Sequence, residues 1–331
     1  MGLSLSLTRT LATATAREAW RAIFQHAWEI CSPPVTPKAA PGEVTTRDRE
    51  TAALDLFLAA AGWDLWKEFN ASAPTTAETL ASWWAGRNSG RAVLILDGLS
   101  LREVPWLLKE AEKRGYKLHA SYATASELPG ETSSFARALG FAGRAALENN
   151  GAGSSHRLKK ARTETLGIPW ADAAKVIDTK PDWVLWHHWP DNRVHDLAAA
   201  GQGLERLTVE VAKELTSDDF WSLVDRMCTG RRLVITSDHG YAATGLFADA
   251  PDDQARFLKE VFKSGRFAYG ERDESPWVPP VQLELMTKHG ITQFALGRRK
   301  WKSQGGYPTL THGGLTVLEV ASPFIELSRT E

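Results

Sequence analysis

Two apolar runs that each stop at a carboxylate constrain this chain more than any other feature. Ala92-Val93-Leu94-Ile95-Leu96 ends in Asp97-Gly98, and Leu233-Val234-Ile235 runs through Thr236-Ser237 into Asp238-His239-Gly240. An uninterrupted apolar run bounded by polar residues and glycine reads as a buried strand, and open α/β sheets bind their ligands just beyond the carboxyl ends of such strands. Asp97, Asp238 and His239 are therefore expected along one sheet edge. Thr311-His312-Gly313-Gly314 places another imidazole beside glycines that let backbone approach closely.

Between these strings lies Trp189-Pro190-Asp191-Asn192-Arg193-Val194-His195. Asp191 and His195 are four apart, which on a helical turn puts them on one face within reach of a shared cation. Three carboxylates and three imidazoles suffice for two metal ions. Taken singly, an Asp-Gly after a strand also serves as a turn or cap, and a lone histidine as a surface residue. An adjacent aspartate and histidine at a strand end have little packing value, so Asp238-His239-Gly240 is the most telling of the strings. His187 and His188, in the aromatic run Trp183 to Trp189, read as packing or supporting residues on alternate faces of a strand.

From Arg91 onward strands and helices alternate: a strand to Leu96, a helix over about Leu101 to Arg114, and a strand over Lys117 to Ala123. This pattern predicts an α/β fold with a mainly parallel sheet flanked by helices. Residues 1–90 read as a helical segment packed on a 91–331 core. Thr15 and Glu18 have capping-box spacing, and Trp20, Phe24, Trp28 and Cys31 repeat at helical intervals until Pro33-Pro34. A second helix is expected from about Arg47 to Ala61, a third from Thr75. Residues 245–290 carry prolines, charges and few periodic runs, as expected of a cap insertion. Thr316 and Glu319 predict a helix directly after His312-Gly313-Gly314.

In order and wording, Leu94 to Ser100, Leu233 to Tyr241 and Thr311 to Leu327 resemble the alkaline phosphatase superfamily, and within it the PglZ domain of BREX-type phage-defence systems. The resemblance covers roughly residues 91–331. It implies an alkaline-phosphatase-like core that hydrolyses phosphate esters with two metals. Asp97, Asp238 and His239 would hold one ion, and Asp191, His195 and His312 the other. Mixed aspartate and histidine ligation suits zinc or manganese better than calcium.

The same resemblance requires a hydroxyl nucleophile at a proline-led helix entry. Leu128-Pro129-Gly130-Glu131-Thr132-Ser133-Ser134 supplies it: Thr132 takes the nucleophile's place and contacts the first metal, with Ser133 and Ser134 as alternatives, because Gly130 stands where the pattern has a threonine. The implied activity is that of a phosphodiesterase or nuclease on DNA, RNA or nucleotides, alongside other phage-defence proteins. The competing reading is a non-catalytic structural or regulatory subunit whose metal site stabilises the fold or docks a partner.

A chain with 39 basic and 40 acidic side chains has no global attraction for a phosphate backbone, so local patches must supply it. Arg298, Arg299, Lys300 and Lys302, with Trp301 interleaved for base stacking, form one such segment; Arg157, Lys159, Lys160 and Arg162 form another. Both also fit ordinary solvated loops. The two cysteines, Cys31 and Cys228, are too far apart for a metal-binding spacing and fit a reducing compartment. With no long apolar stretch, a cytoplasmic protein without membrane contact is expected.

Overall fold

The computed structural model describes residues 2–37, 39–199, 202–272, 280–303 and 306–329. Eleven strands lie among them: β1 Arg91–Leu96, β2 Tyr116–Ala125, β3 Arg162–Leu166, β4 Asp182–His187, β5 Arg232–Thr236, β6 Ala248–Asp249, β7 Phe267–Tyr269, β8 Gln282–Thr287, β9 Gly290–Ala295, β10 Arg299–Lys300 and β11 Ala321–Arg329. Six form the central sheet, in the order β2-β11-β5-β1-β4-β3. β1 pairs in parallel with β4 and β5, and β3 with β4, whereas β11 runs antiparallel between β5 and β2. The sheet is thus mainly parallel and flanked by helices, as the alternation of elements predicted.

Every residue of β1 and β4 is buried, which is why both read as unbroken apolar runs. Register aligns their exits: Leu96 is opposite His187 and Ile95 opposite Thr236. Asp97, Asp191 and Asp238 therefore leave the sheet on the same side.

Helices Leu5–Thr13, Ala16–Cys31, Ala40–Ala60 and Thr76–Ala85 precede the sheet. The Thr15/Glu18 capping box forms, and Trp20 packs against Trp66 and Phe69, each at 4.8 Å between ring centroids. One continuous apolar core joins the first three of these helices to Leu94, Leu233 and Ile325 of the sheet, while Ala77, Leu80 and Trp84 of the fourth pack in a second cluster with Val93, Ile95 and Val234. The second expected helix starts at Ala40, well before Arg47, because Pro41 occupies its first turn, where proline's missing N–H has no intrahelical role.

The expected helix after His312 is also corrected. It is a single turn, Val317–Val320, that leads directly into β11. Thr316 makes no side-chain cap; its hydroxyl donates to Glu319 Oε2 at 2.8 Å instead. The 245–290 stretch contains helix Asp252–Phe262 and strands β7 and β8, which pair on either side of β9 just beyond it in the antiparallel sheet β7-β9-β8, while its residues 273–279 lie outside the described part. No described helix is long and apolar enough to cross a membrane.

Candidate active site

The carboxyl edge of the sheet brings Asp97, Asp191, Asp238, His239, His195, His312 and Thr132 together. Asp97 directly follows β1, and its carbonyl accepts the Asp191 N–H at 2.8 Å, fastening the helix Asp191–Asp196 to the strand exit. Gly98 makes this approach possible. Its φ is +72°, and a Cβ there would stand 3.1 Å from that of Asp191. The Gly98 amide donates to Asp238 Oδ1 at 2.9 Å, tying the exit of β1 to that of β5.

Two ring orientations are fixed by backbone carbonyls, which can only accept. His239 Nδ1–H donates to Gly240 O and His312 Nδ1–H to Gly130 O, both at 2.9 Å, so each Nε2 is the nitrogen left to face the site. The two rings stack at 4.3 Å. His239 Nε2 is 3.5 Å from Asp238 Oδ2 and 3.8 Å from Asp97 Oδ1. His195 Nε2 is 3.2 Å from Asp191 Oδ2, while His312 Nε2 stands 3.8 Å from Asp191 Oδ1.

Ligand atoms of Asp191, His195 and His312 lie within 4.8 Å of one another, as do those of Asp97, Asp191 and His239. Asp191 belongs to both groups, so the two potential cation positions adjoin, and it stands in the first group where the resemblance implied Asp238, which faces the Thr132 hydroxyl. His239 Nε2 and Asp191 Oδ1 are buried without a hydrogen-bond partner. A buried polar atom left in that state is costly unless something absent from the chain completes it. The donor set, carboxylate oxygen plus imidazole nitrogen, fits zinc or manganese.

The electrostatics point the same way. Burial, then the neighbouring Asp238 charge, pushes the Asp97 carboxyl well above the usual range. Burial alone would lower His239, but the carboxylates of Asp238, Asp191 and Asp97 outweigh it and lift the imidazole to about 9. His312 is held down at about 4 by burial and by the charge on His239. Asp191 is held low: the hydrogen bond from His195 and the surrounding imidazoles overcome its burial. The same hydrogen bond raises His195. Each of these shifts comes from carboxyls and imidazoles crowded at one buried edge.

Thr132 opens the helix Thr132–Ala138, and its hydroxyl lies 3.1 Å from Asp238 Oδ2 and 3.4 Å from Asp97 Oδ1. Ser133 and Ser134 turn elsewhere, toward Glu131 Oε1 at 3.1 and 3.4 Å, and Ser134 also meets His289 Nε2 at 3.1 Å. The antiparallel sheet of the insertion borders this region. Phe267 sits under Gly313, where a Cβ would come within 2.4 Å of its ring, and the Tyr269 hydroxyl donates to Glu131 Oε1 at 2.6 Å. Behind His312, the buried Glu319 Oε1 accepts the Gly314 amide and the Arg266 Nε–H, each at 2.8 Å.

His187 and His188 stay out of the cluster. His187 donates through Nε2 to Ile168 O and packs on Trp170, and His188 Nε2 meets the Thr165 hydroxyl at 3.0 Å.

The basic segment is only partly available to a ligand. Arg298 is engaged inside the protein, its guanidinium bonded to Asp55, Asp48 and Thr51, and Trp301 is buried with its indole N–H on Lys263 O. Both are corrections to the sequence reading, since neither group is free for a phosphate or a base. Arg299 and Lys302 are exposed, and Lys300 meets Asp249 at 3.7 Å and lies over the Tyr307 ring at 5.8 Å. In the other basic segment, Arg157 pairs with Glu78 and Arg162 with Asp178. Sequence reading missed Arg144, which pairs with Asp97 Oδ2; a solitary arginine in an aperiodic stretch gives no signal.

No known family's sequence profile matches the chain, and no curated protein sequence matches it. Among solved structures, its backbone resembles murine ectonucleotide pyrophosphatase/phosphodiesterase 5, at 14% identity over 73% of this chain and 88% of that one, with a TM-score of 0.46. An inactive form of the same protein in complex with AMP matches with the same values. Phosphonoacetate hydrolase from Sinorhizobium meliloti, in complex with phosphonoacetate, matches at 13% identity over 71% and 89% of the two chains, with a TM-score of 0.41.

Proposed function

We propose that the chain is a metal-dependent phosphoesterase that cleaves phosphodiesters, in nucleic acid or nucleotides, with Thr132 as its nucleophile. One observation carries this. The Thr132 hydroxyl is shared between Asp97 and Asp238 at the point where two Asp/His groups able to hold cations adjoin. A hydroxyl has no structural need for two buried carboxylates, whereas an attacking oxygen needs groups that draw off its proton.

Asp97, Asp238 and His239 would hold one divalent ion, zinc or manganese, and Asp191, His195 and His312 the other. Such ions neutralise phosphoryl oxygens and stabilise the attacking and leaving oxygens of an in-line displacement. The chain's own residues do the rest. Gly98 and Ser237 hold Asp238 toward Thr132, while the carbonyls of Gly240 and Gly130 hold the two imidazoles in their ligating tautomer. Attack by Thr132 Oγ1 on phosphorus, its proton drawn off by the adjoining carboxylates, breaks one P–O ester bond, releases one alcohol and leaves the rest of the diester on threonine. Water then hydrolyses the phosphothreonine.

The β7-β9-β8 sheet, which reaches the site through Phe267 and Tyr269, is the substrate-selecting cap on this reading. A PglZ-like phage-defence setting, with other defence proteins as partners, is supported by the wording of the three sequence strings.

The test is hydrolysis of bis-nitrophenyl phosphate by protein resupplied with zinc or manganese. Wild type should bind two equivalents of metal and prefer the diester to the nitrophenyl monoester. Thr132→Ala should keep its metal and lose at least about a thousandfold in kcat. Wild-type rates in that variant would move the role to Ser133, Ser134 or water. Metal binding without hydrolysis of any ester would leave a structural role for the site.

A further inference from the structure

Among the described residues, Arg144 is the only lysine or arginine paired with any of the three site carboxylates. It comes from the turn Arg144–Asn150, and among the described residues Asp97 Oδ2 is the one hydrogen-bond partner of its guanidinium. Asp97 is fully buried, but the Arg144 side chain keeps 31% of its surface exposed. The anion is therefore fixed, and the cation sits on a flexible stem at the solvent edge, free to leave. Structural arginines of this protein look different. Arg91, Arg102 and Arg266 are buried and Arg298 is only 13% exposed, and each holds two or more partners within the protein.

A guanidinium and a divalent cation on one carboxylate repel each other, and the ion carries the greater charge. Building on the phosphoesterase reading, we propose that Arg144 is a resident counter-charge which an incoming cation displaces from Asp97, and that the displaced guanidinium receives the anionic group of the substrate. Its planar fork of donors suits phosphoryl oxygens, which it can meet in pairs. Without metal the arginine occupies the acidic site and is turned away from substrate. With metal it becomes available at the lip of the same site. Cation binding and anion binding are thereby coupled through one side chain, and each favours the other.

The test uses the full chain and two probes, manganese alone and then inorganic phosphate added to the manganese-loaded protein, both followed by titration calorimetry. In Arg144→Gln the competitor is gone, so manganese affinity should rise by about fivefold, the size of one half-buried charge pair. Phosphate affinity of the loaded protein should fall, and the metal-free melting temperature should drop because Asp97 loses its counter-charge. Arg144→Lys, which keeps the charge without the fork, should leave manganese affinity near wild type and still weaken phosphate. Unchanged or weaker manganese binding in Arg144→Gln would overturn the displacement, and unchanged phosphate binding would overturn the receptor role; either result leaves the Thr132 chemistry standing. If wild type binds no cation at all, the phosphoesterase reading fails, and this proposal with it.

Discussion

Two groups of buried charge sit in this protein a short way apart in the fold, and they are built on opposite rules. In one, Asp48 and Asp55 from the helix Ala40–Ala60 face Arg102 and Arg298. Asp48 Oδ2 accepts from Arg102, Asp48 Oδ1 from Arg298, Asp55 Oδ2 from Arg298 and Asp55 Oδ1 from the Val317 amide. Every carboxylate oxygen is used, and anions match cations. In the other, Asp97, Asp191 and Asp238 crowd together, with one arginine at the margin and with His239 Nε2 and Asp191 Oδ1 unpartnered. A matched cluster is complete and joins elements. An unmatched one leaves buried polar groups for something further to complete, which is the physical signature of a site.

The largest effect should come from exchanging these roles by mutation. Asp48→Ala leaves the buried Arg102 guanidinium without its carboxylate and takes one of two carboxylates from Arg298, and removing one partner of a buried pair costs about 3–5 kcal/mol. Denaturant unfolding should show that loss with and without metal. Asp238→Asn keeps an oxygen for the Gly98 amide and relieves like-charge crowding, so metal-free stability should stay within about 1 kcal/mol of wild type. What it should lose is the rise in melting temperature on adding zinc or manganese. If Asp238→Asn unfolds the metal-free protein as badly as Asp48→Ala does, the distinction between the clusters is void.

The unmatched site was legible and the matched cluster was not, for one physical reason. Ligands at the exits of fully buried strands sit next to the runs that announce those strands, so Asp97 and Asp238-His239 could be located from local pattern. Arg298 meets Asp48 and Asp55 across about 250 positions of sequence, a pairing no local pattern carries. Inside Arg298-Arg299-Lys300-Trp301-Lys302 it looked like one more surface charge. β11 was hidden differently. Thr316 and Glu319 have capping-box spacing, but Glu319 bonds the Gly314 amide and Arg266 instead, and Pro323 argues against the interior strand it occupies. Thr132 was reachable only through family resemblance, because a threonine before two serines is also an ordinary helix start.

Glu127 sharpens the comparison, being a buried carboxyl outside the site that no hydrogen bond of ordinary geometry reaches. Burial pushes it up from an ordinary 4.5 to about 7, with only partial relief from the Thr75 hydroxyl. The fold therefore holds it protonated below about pH 7, far above the range in which a free carboxyl ionises. Because the folded value is raised, its contribution is fully present below pH 4.5 and is lost as pH climbs through 7. A rise of that size corresponds to about 3 kcal/mol at most. Glu127→Gln, a mimic of the protonated acid, should match wild type at about pH 5 and be the more stable protein at about pH 9. Parallel stability profiles across that range would show that Glu127 keeps its charge in the fold, and that an unmatched buried carboxylate need not mark a site.

The smallest effect concerns the residues left over when Arg298 is assigned to the matched cluster. Arg299 and Lys302 are exposed and Lys300 is held only loosely, so these three are the basic groups of the segment able to meet a phosphate backbone. Neutralising them together should leave folding and metal content unchanged, since no buried carboxylate depends on them. On single-stranded DNA, each phosphate that goes unneutralised should lower the slope of log affinity against log salt by about 0.7, or by about 0.9 on duplex. Adding Arg298→Gln to that triple variant should bring a stability loss with no further change in slope, because its charge is already spent on Asp48 and Asp55. A slope that falls again with Arg298 would place that arginine at the surface in solution and undo its assignment to the buried cluster. A triple variant that binds as wild type does would make the segment an ordinary solvated loop. Any nucleic acid would then be held at the sheet edge alone.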